Sequence, residues 1–118
     1  MLIHTVYFWL KSGLTSAQQA EFRHGVESLG SIAHVDRVYL GPPASTPPRA
    51  VVDQSFSLGL TVICRDAAAH DAYQADPIHR AFVATCQHLW SRVQVYDFEA
   101  ADTGAIPGGA RKSDKGTR

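Results

Sequence analysis

Cysteine is nearly missing from this sequence: Cys64 and Cys86 are the only two in 118 residues. They are widely separated and form no CxxC spacing, which excludes a disulfide-stapled scaffold and a cysteine-rich zinc site. Each lies among apolar neighbours, so both read as buried free thiols of a reducing cytoplasm. Net charge is missing too, since eleven Lys and Arg offset eleven Asp and Glu. Affinity for phosphate backbones is largely electrostatic, so no nucleic-acid partner is expected. Neutrality also removes the self-repulsion that opposes self-association. No apolar run approaches the roughly 20 residues of a membrane span. The apolar start, Leu2–Leu10, is cut by His4 and has no basic leader, so it reads as a strand and not as a signal peptide. No membrane partner is expected. Glycine-rich phosphate loops of the GxGxxG or P-loop type are also absent after any strand.

The apolar residues, 45% of the chain, are enough for one globular domain. Residues 1–99 carry seven basic and nine acidic groups, whereas 100–118 carry four basic and two acidic. The last nineteen residues hold four glycines, no aromatic and one large aliphatic, Ile106. They cannot bury enough apolar surface to offset the entropy of ordering. The expected division is therefore a folded domain over 1–99 and a flexible basic tail over 100–118.

Within the domain, Leu2–Leu10 alternates Leu2, His4, Val6 and Phe8 with Ile3, Thr5, Tyr7 and Trp9, as a strand covered on both faces should. Thr15 and Gln18 form a capping box, and Phe22, Val26, Leu29 and Ala33 follow as the apolar stripe of a helix. Val35–Leu40 predicts a second strand. Residues 41–54 hold four of the six prolines and predict a stiff, extended connection. Phe56, Leu58, Leu60, Val62 and Cys64 alternate with small residues in a third strand. Asp66 caps a helix, Asp76-Pro77 restarts one, and Phe82, Cys86 and Leu89 make its stripe. Arg92–Phe98 predicts the last strand. The order β-α-β-β-α-β predicts an α+β, ferredoxin-like subunit with both helices on one face of an antiparallel sheet. The face of strand one bearing Ile3, Thr5, Tyr7 and Trp9 is then left uncovered. A patch of that kind usually marks an interface, so a homodimer joined through the sheets, a dimeric α+β barrel, is expected.

Six histidines invite a metal reading, but no HxH, HxxxH or HExxH spacing exists. His79 and His88 point about 180° apart on a helix. His70 reads as a helix-surface partner of Asp66, four residues earlier. No metal and no cofactor are expected. Two histidines stand out. His4 occupies the strand face that packs under the helices, where an aliphatic would serve better. His79 sits in the first turn after Pro77, where the helix dipole disfavours imidazolium and keeps the ring a neutral base. Tyr73 precedes it across the Asp76-Pro77 break, close enough for both to face one pocket. A neutral imidazole beside a phenol is a base beside an oxyanion donor. The bland reading makes Tyr73 a core residue and His79 a surface one.

Four stretches carry a resemblance: His4-Thr-Val-Tyr-Phe-Trp-Leu-Lys11, Val51-Val-Asp-Gln-Ser-Phe-Ser57, His70-Asp-Ala-Tyr-Gln-Ala-Asp-Pro-Ile-His-Arg-Ala-Phe82 and Val95-Tyr-Asp-Phe98. Over residues 2–98 the sequence resembles the stress-responsive dimeric A/B barrel (Dabb) family, which includes the plant olivetolic acid cyclase. Tyr73, Pro77 and His79, with His4, are the most specific part. The resemblance implies ferredoxin-like subunits dimerised through their sheets. From the cyclase it implies His79, Tyr73 and His4 as catalytic residues. The cyclase's strand-three histidine falls on or beside Leu58 here. The family's magnesium stretch, 30–36 in this chain, is one residue shorter, and that site is not carried over. The expected function is a cofactor-free enzyme of cyclase or lyase type. Its substrate would be a small enolisable carbonyl or polyketide-like compound in a pocket walled by Val6, Phe8, Leu58, Leu60, Phe82 and Leu89. The alternatives are a non-catalytic stress-associated dimer or small-ligand binder and, by fold analogy, a cofactor-independent monooxygenase.

Overall fold

The structure, a computed structural model, describes residues 1–101, 106 and 108. The expected basic tail therefore lies almost wholly outside the described residues. Strand β1 (Leu2–Leu10) is followed by helix α1 (Ser16–Ser28) and β2 (Arg37–Gly41). Strand β3 (Leu58–Cys64), helices α2 (Ala67–Ala75) and α3 (Pro77–Cys86), and β4 (Trp90–Glu99) complete the chain. The four strands form one antiparallel sheet in the order β2-β3-β1-β4. This is the α+β, ferredoxin-like arrangement expected, with the second helix broken in two at Asp76-Pro77.

Local chemistry sets each boundary. The Thr15 hydroxyl accepts from Gln18 N–H at 3.1 Å, and the Gln18 amide oxygen accepts from Thr15 N–H at 2.9 Å, closing the capping box. Gly13, with φ +78°, makes the turn before it in a region that L side chains avoid. The Asp66 carboxylate accepts from Ala69 N–H at the start of α2, and Asp76 accepts from Ile78 N–H at the start of α3. Pro77 takes the first helical position, where a missing N–H costs nothing. Helix α1 ends at Ser28, and Leu29–Ser31 continue as a single 3-10 turn. Ala33, expected on the helical stripe, falls beyond that turn and is exposed. In the proline-rich connection, the Gln54 amide donates to the carbonyls of Ala44 (2.8 Å) and Thr46 (3.1 Å) and clasps the segment to itself.

The core lies between the helices and the sheet face that carries Leu2, His4, Val6 and Phe8. Phe8 is its aromatic hub, with ring centroids 5.1 Å from Phe22 and 5.1 Å from Trp90. Helices α1 and α3 touch where Gly25 leaves room: a Cβ there would stand 2.8 Å from Cys86 Sγ and 2.9 Å from Phe82 Cδ1. Cys64 and Cys86 are buried free thiols, and burial pushes both above the usual thiol range. No helix among the described residues is long and apolar enough to cross a membrane. Among the described residues, the opposite face of the sheet has no helix over it. Tyr39, Tyr96 and Phe98 stand out from it more than half exposed, beside Tyr7 and Trp9 of β1.

Candidate active site

Side chains on a strand alternate, so residues paired directly across two strands share a face with Cβ atoms about 4.5–5.5 Å apart. His4 pairs with Val62 on β3 and with Asp97 on β4. It is 4% exposed and is the one buried polar side chain of the core face among the described residues. Its Nδ1 lies 2.5 Å from Asp97 Oδ1, and 3.3 Å from His70 Nε2 on α2. The Gln74 amide donates to the same His70 nitrogen at 3.2 Å, which makes that nitrogen an acceptor. The proton of His4 therefore sits on Nδ1, directed at Asp97 and His70, and Nε2 keeps its lone pair. Burial is the main influence on His4 and holds its pKa below the ordinary imidazole value. The Asp97 carboxylate works against that shift, and His70 adds to it.

One turn along α2 from His70, Tyr73 is 1% exposed. Its ring centroid lies 5.9 Å from that of His4 and 4.9 Å from that of His79. The break at Asp76-Pro77 makes the second contact: α2 ends just past Tyr73, α3 starts afresh, and His79 in its first turn faces back. The Tyr73 hydroxyl makes no hydrogen bond to any described residue. Burial, and secondarily Cys64, pushes its pKa far above the usual phenol range, so it remains a donor at any ordinary pH. His79 is held below the ordinary imidazole value, first by burial, then by the neighbouring His4 and His70, with Asp76 opposing. Near neutral pH it is an unprotonated base.

His4, Tyr73 and His79 line one cavity of about 190 Å³, so the structure brings together the three residues that sequence reasoning singled out. Of the six wall residues expected, Val6, Phe8, Leu60 and Phe82 line it. Leu58 and Leu89 do not. Leu58 pairs with Phe8, whose ring closes that end of the space against Phe22, Phe82 and Trp90, and Leu89 is fully buried in the turn after α3. Their places are taken by Trp90, Val93 and Val95, because the cavity opens toward β4. A larger groove of about 570 Å³ runs between α1 and α3, but of its titratable side chains Glu21 and His24 are exposed and Cys86 is a buried thiol whose pKa burial raises.

Two members of the constellation were missed in sequence. Asp97 is 93 residues from His4, and only the β1–β4 register reveals the pair. His70 was read as a partner of Asp66. The structure corrects this: the Asp66 carboxylate is engaged in capping α2, and the His70 ring turns inward to His4. As a result one ligand-type atom each from His4, His70 and Asp97 lie within 4.8 Å of one another, although no short motif links them.

The fold and site define a class: ferredoxin-like α+β subunits with a small His- and Tyr-lined cavity between sheet and helices and a bare sheet face opposite. The chain belongs to the stress responsive A/B barrel (Dabb) domain family, whose sequence model matches residues 2–100. Among solved structures it is similar to a Dabb-family protein of Mesorhizobium loti. That match has a TM-score of 0.66 and 23% identity, and covers 92% of this chain and 97% of the other. It is similar as well to the hydroxynitrile lyase of Passiflora edulis, with TM-score 0.68, 18% identity and coverage of 82% and 90%. A dimeric ferredoxin-like protein of unknown function from Thermobifida fusca matches with TM-score 0.66 and 16% identity, over 82% and 88% of the two chains. No protein of curated function matches the sequence.

Proposed function

We propose that this protein is an acid–base enzyme of lyase or cyclase type, acting on a small enolisable carbonyl compound or its hydroxy adduct. The observation that carries the reading is the Tyr73 hydroxyl. It belongs to a buried residue, lines a cavity, has no hydrogen-bond partner among the described residues, and stands beside an unprotonated imidazole. The hydroxyl borders the cavity and is free to donate to a ligand oxygen there. His79 removes the proton, either α to the carbonyl or from the adduct's hydroxyl. Tyr73 donates to the oxygen on which negative charge develops. His4, fixed by Asp97 with its Nε2 free, orients the substrate or carries the second proton.

The cavity volume narrows the substrate. At about 190 Å³ it falls below the roughly 300–1,000 Å³ of clefts that take drug-sized ligands, which favours a compact carbonyl compound over an extended polyketide chain. The hydroxynitrile lyase among the similar structures supports the lyase side of this reading. The bare aromatic sheet face supports a homodimer joined sheet to sheet, as do the dimeric relatives. Two buried free thiols fit a reducing cytoplasm. The test is a turnover panel of small 1,3-dicarbonyls and hydroxynitriles of increasing chain length. Turnover confined to the shortest members is expected. Tight binding throughout, with no turnover, would instead make the protein a small-ligand binder.

A further inference from the structure

We propose that His4 Nδ1, His70 Nε2 and Asp97 Oδ1 form a binding site for a divalent transition-metal ion of the zinc class. Three elements, β1, α2 and β4, each direct one ligand-type atom to a common point, all within 4.8 Å. Two imidazole nitrogens and one carboxylate oxygen are donors that suit zinc, cobalt or nickel. The oxygen-seeking magnesium and calcium ions would demand more carboxylates or carbonyls. The spacing of the two imidazoles fits as well. Ligand atoms about 2.0–2.1 Å from a tetrahedral ion stand about 3.3–3.4 Å from one another. His4 Nδ1 and His70 Nε2 are already 3.3 Å apart. Asp97 Oδ1, now 2.5 Å from His4, must retreat by about 0.8 Å to reach that spacing. It can do so, because its side chain is 42% exposed on the edge strand. Gln74, exposed on α2, is the one group that must swing off His70. The exposure of Asp97 also leaves the fourth position open to water or to a ligand.

Loading the site changes His4. The ion takes Nδ1, so the ring proton moves to Nε2, and His4 turns from an acceptor into a donor on the cavity side. The metal-bound and Asp97-bonded states therefore exclude each other, and each presents a different polar group to the cavity. The binding claim holds whether or not the cavity is catalytic.

The experiment titrates tag-free protein with Co²⁺ and follows the visible ligand-field absorption, then displaces the ion with Zn²⁺. One Co²⁺ per chain with intense, tetrahedral-type bands is expected, fully displaced by Zn²⁺. His70→Ala and the shape-preserving Asp97→Asn should each weaken binding at least about 100-fold, the upper end of what loss of a mere outer-shell partner costs. His24→Ala, at an exposed histidine, and His79→Ala, which removes the proposed base, should leave it unchanged. Absence of saturable binding would overturn the proposal. So would binding that survives both Asp97→Asn and His70→Ala, since the ion would then sit on surface histidines.

Discussion

Replacing Gly25 by alanine tests how closely α1 must approach α3, the helix that carries His79. The new Cβ would meet Cys86 Sγ at 2.8 Å and the Phe82 ring at 2.9 Å, both closer than real Cβ atoms stand. Phe82 cannot simply step aside, because its ring is packed among Phe8, Phe22 and Trp90. Overpacking of this kind costs about 1–3 kcal/mol. Alanine recovers about 0.5–1 kcal/mol over glycine in a helix interior, which leaves a net loss of about 0–2.5 kcal/mol, centred near about 1 kcal/mol. For a domain near 100 residues each kcal/mol moves Tm by roughly 4–8 °C, so Gly25→Ala should melt several degrees early by calorimetry or circular dichroism. Adding Cys86→Ala removes the Sγ half of the clash, and the pair should be less destabilised than the sum of the single variants. An unchanged or raised Tm for Gly25→Ala would refute the reasoning, because the helix contact would then relax at negligible cost.

The bare sheet face gives a second expectation. Trp9→Glu places a carboxylate beside Phe56 and removes the ring under Arg92, and sedimentation should show a dimer for the parent protein and monomers for the variant. A pH effect follows from His79. Its folded pKa is depressed, so between that value and the unfolded 6.5 the unfolded chain binds more protons. Its contribution to stability is complete above the unfolded value and is lost as pH falls through the folded one. Urea midpoints should therefore decline on acidification below about pH 6.5, and His79→Gln should flatten that decline. Since His4 is also held below its ordinary value, the decline should shrink in His79→Gln but not vanish.

The fold was legible because its punctuation is local. The Thr15–Gln18 box, the Asp66 cap and the Asp76-Pro77 restart each announce a helix within four residues, and strict alternation marks β1 and β3. Boundaries slipped where tertiary packing took over. Phe56 was expected in β3, but it leaves the strand to pack its ring 4.9 Å from Tyr7 on the outer face, and β3 begins at Leu58. The site divides in the same way. Tyr73 and His79 flank one helix break and were readable as a pair. Asp97 and His70 were not, because their meeting with His4 depends on strand register and on how α2 lies over β1. Leu58 drew attention as the place of an absent histidine, yet polar groups reach His4 from β4 and α2 instead.

The central claim is that His79 takes a proton α to a carbonyl while Tyr73 steadies the oxygen. The most direct measurement follows deuterium entry into a small 1,3-dicarbonyl in heavy water by proton NMR, comparing the parent protein with His79→Ala and Tyr73→Phe at matched folded concentration. The account predicts exchange above the buffer rate for the parent protein. It predicts a loss of about 10²–10⁴-fold in His79→Ala and a smaller loss in Tyr73→Phe, which sheds one donor and keeps its ring in place. Equal exchange by the parent protein and His79→Ala would contradict it.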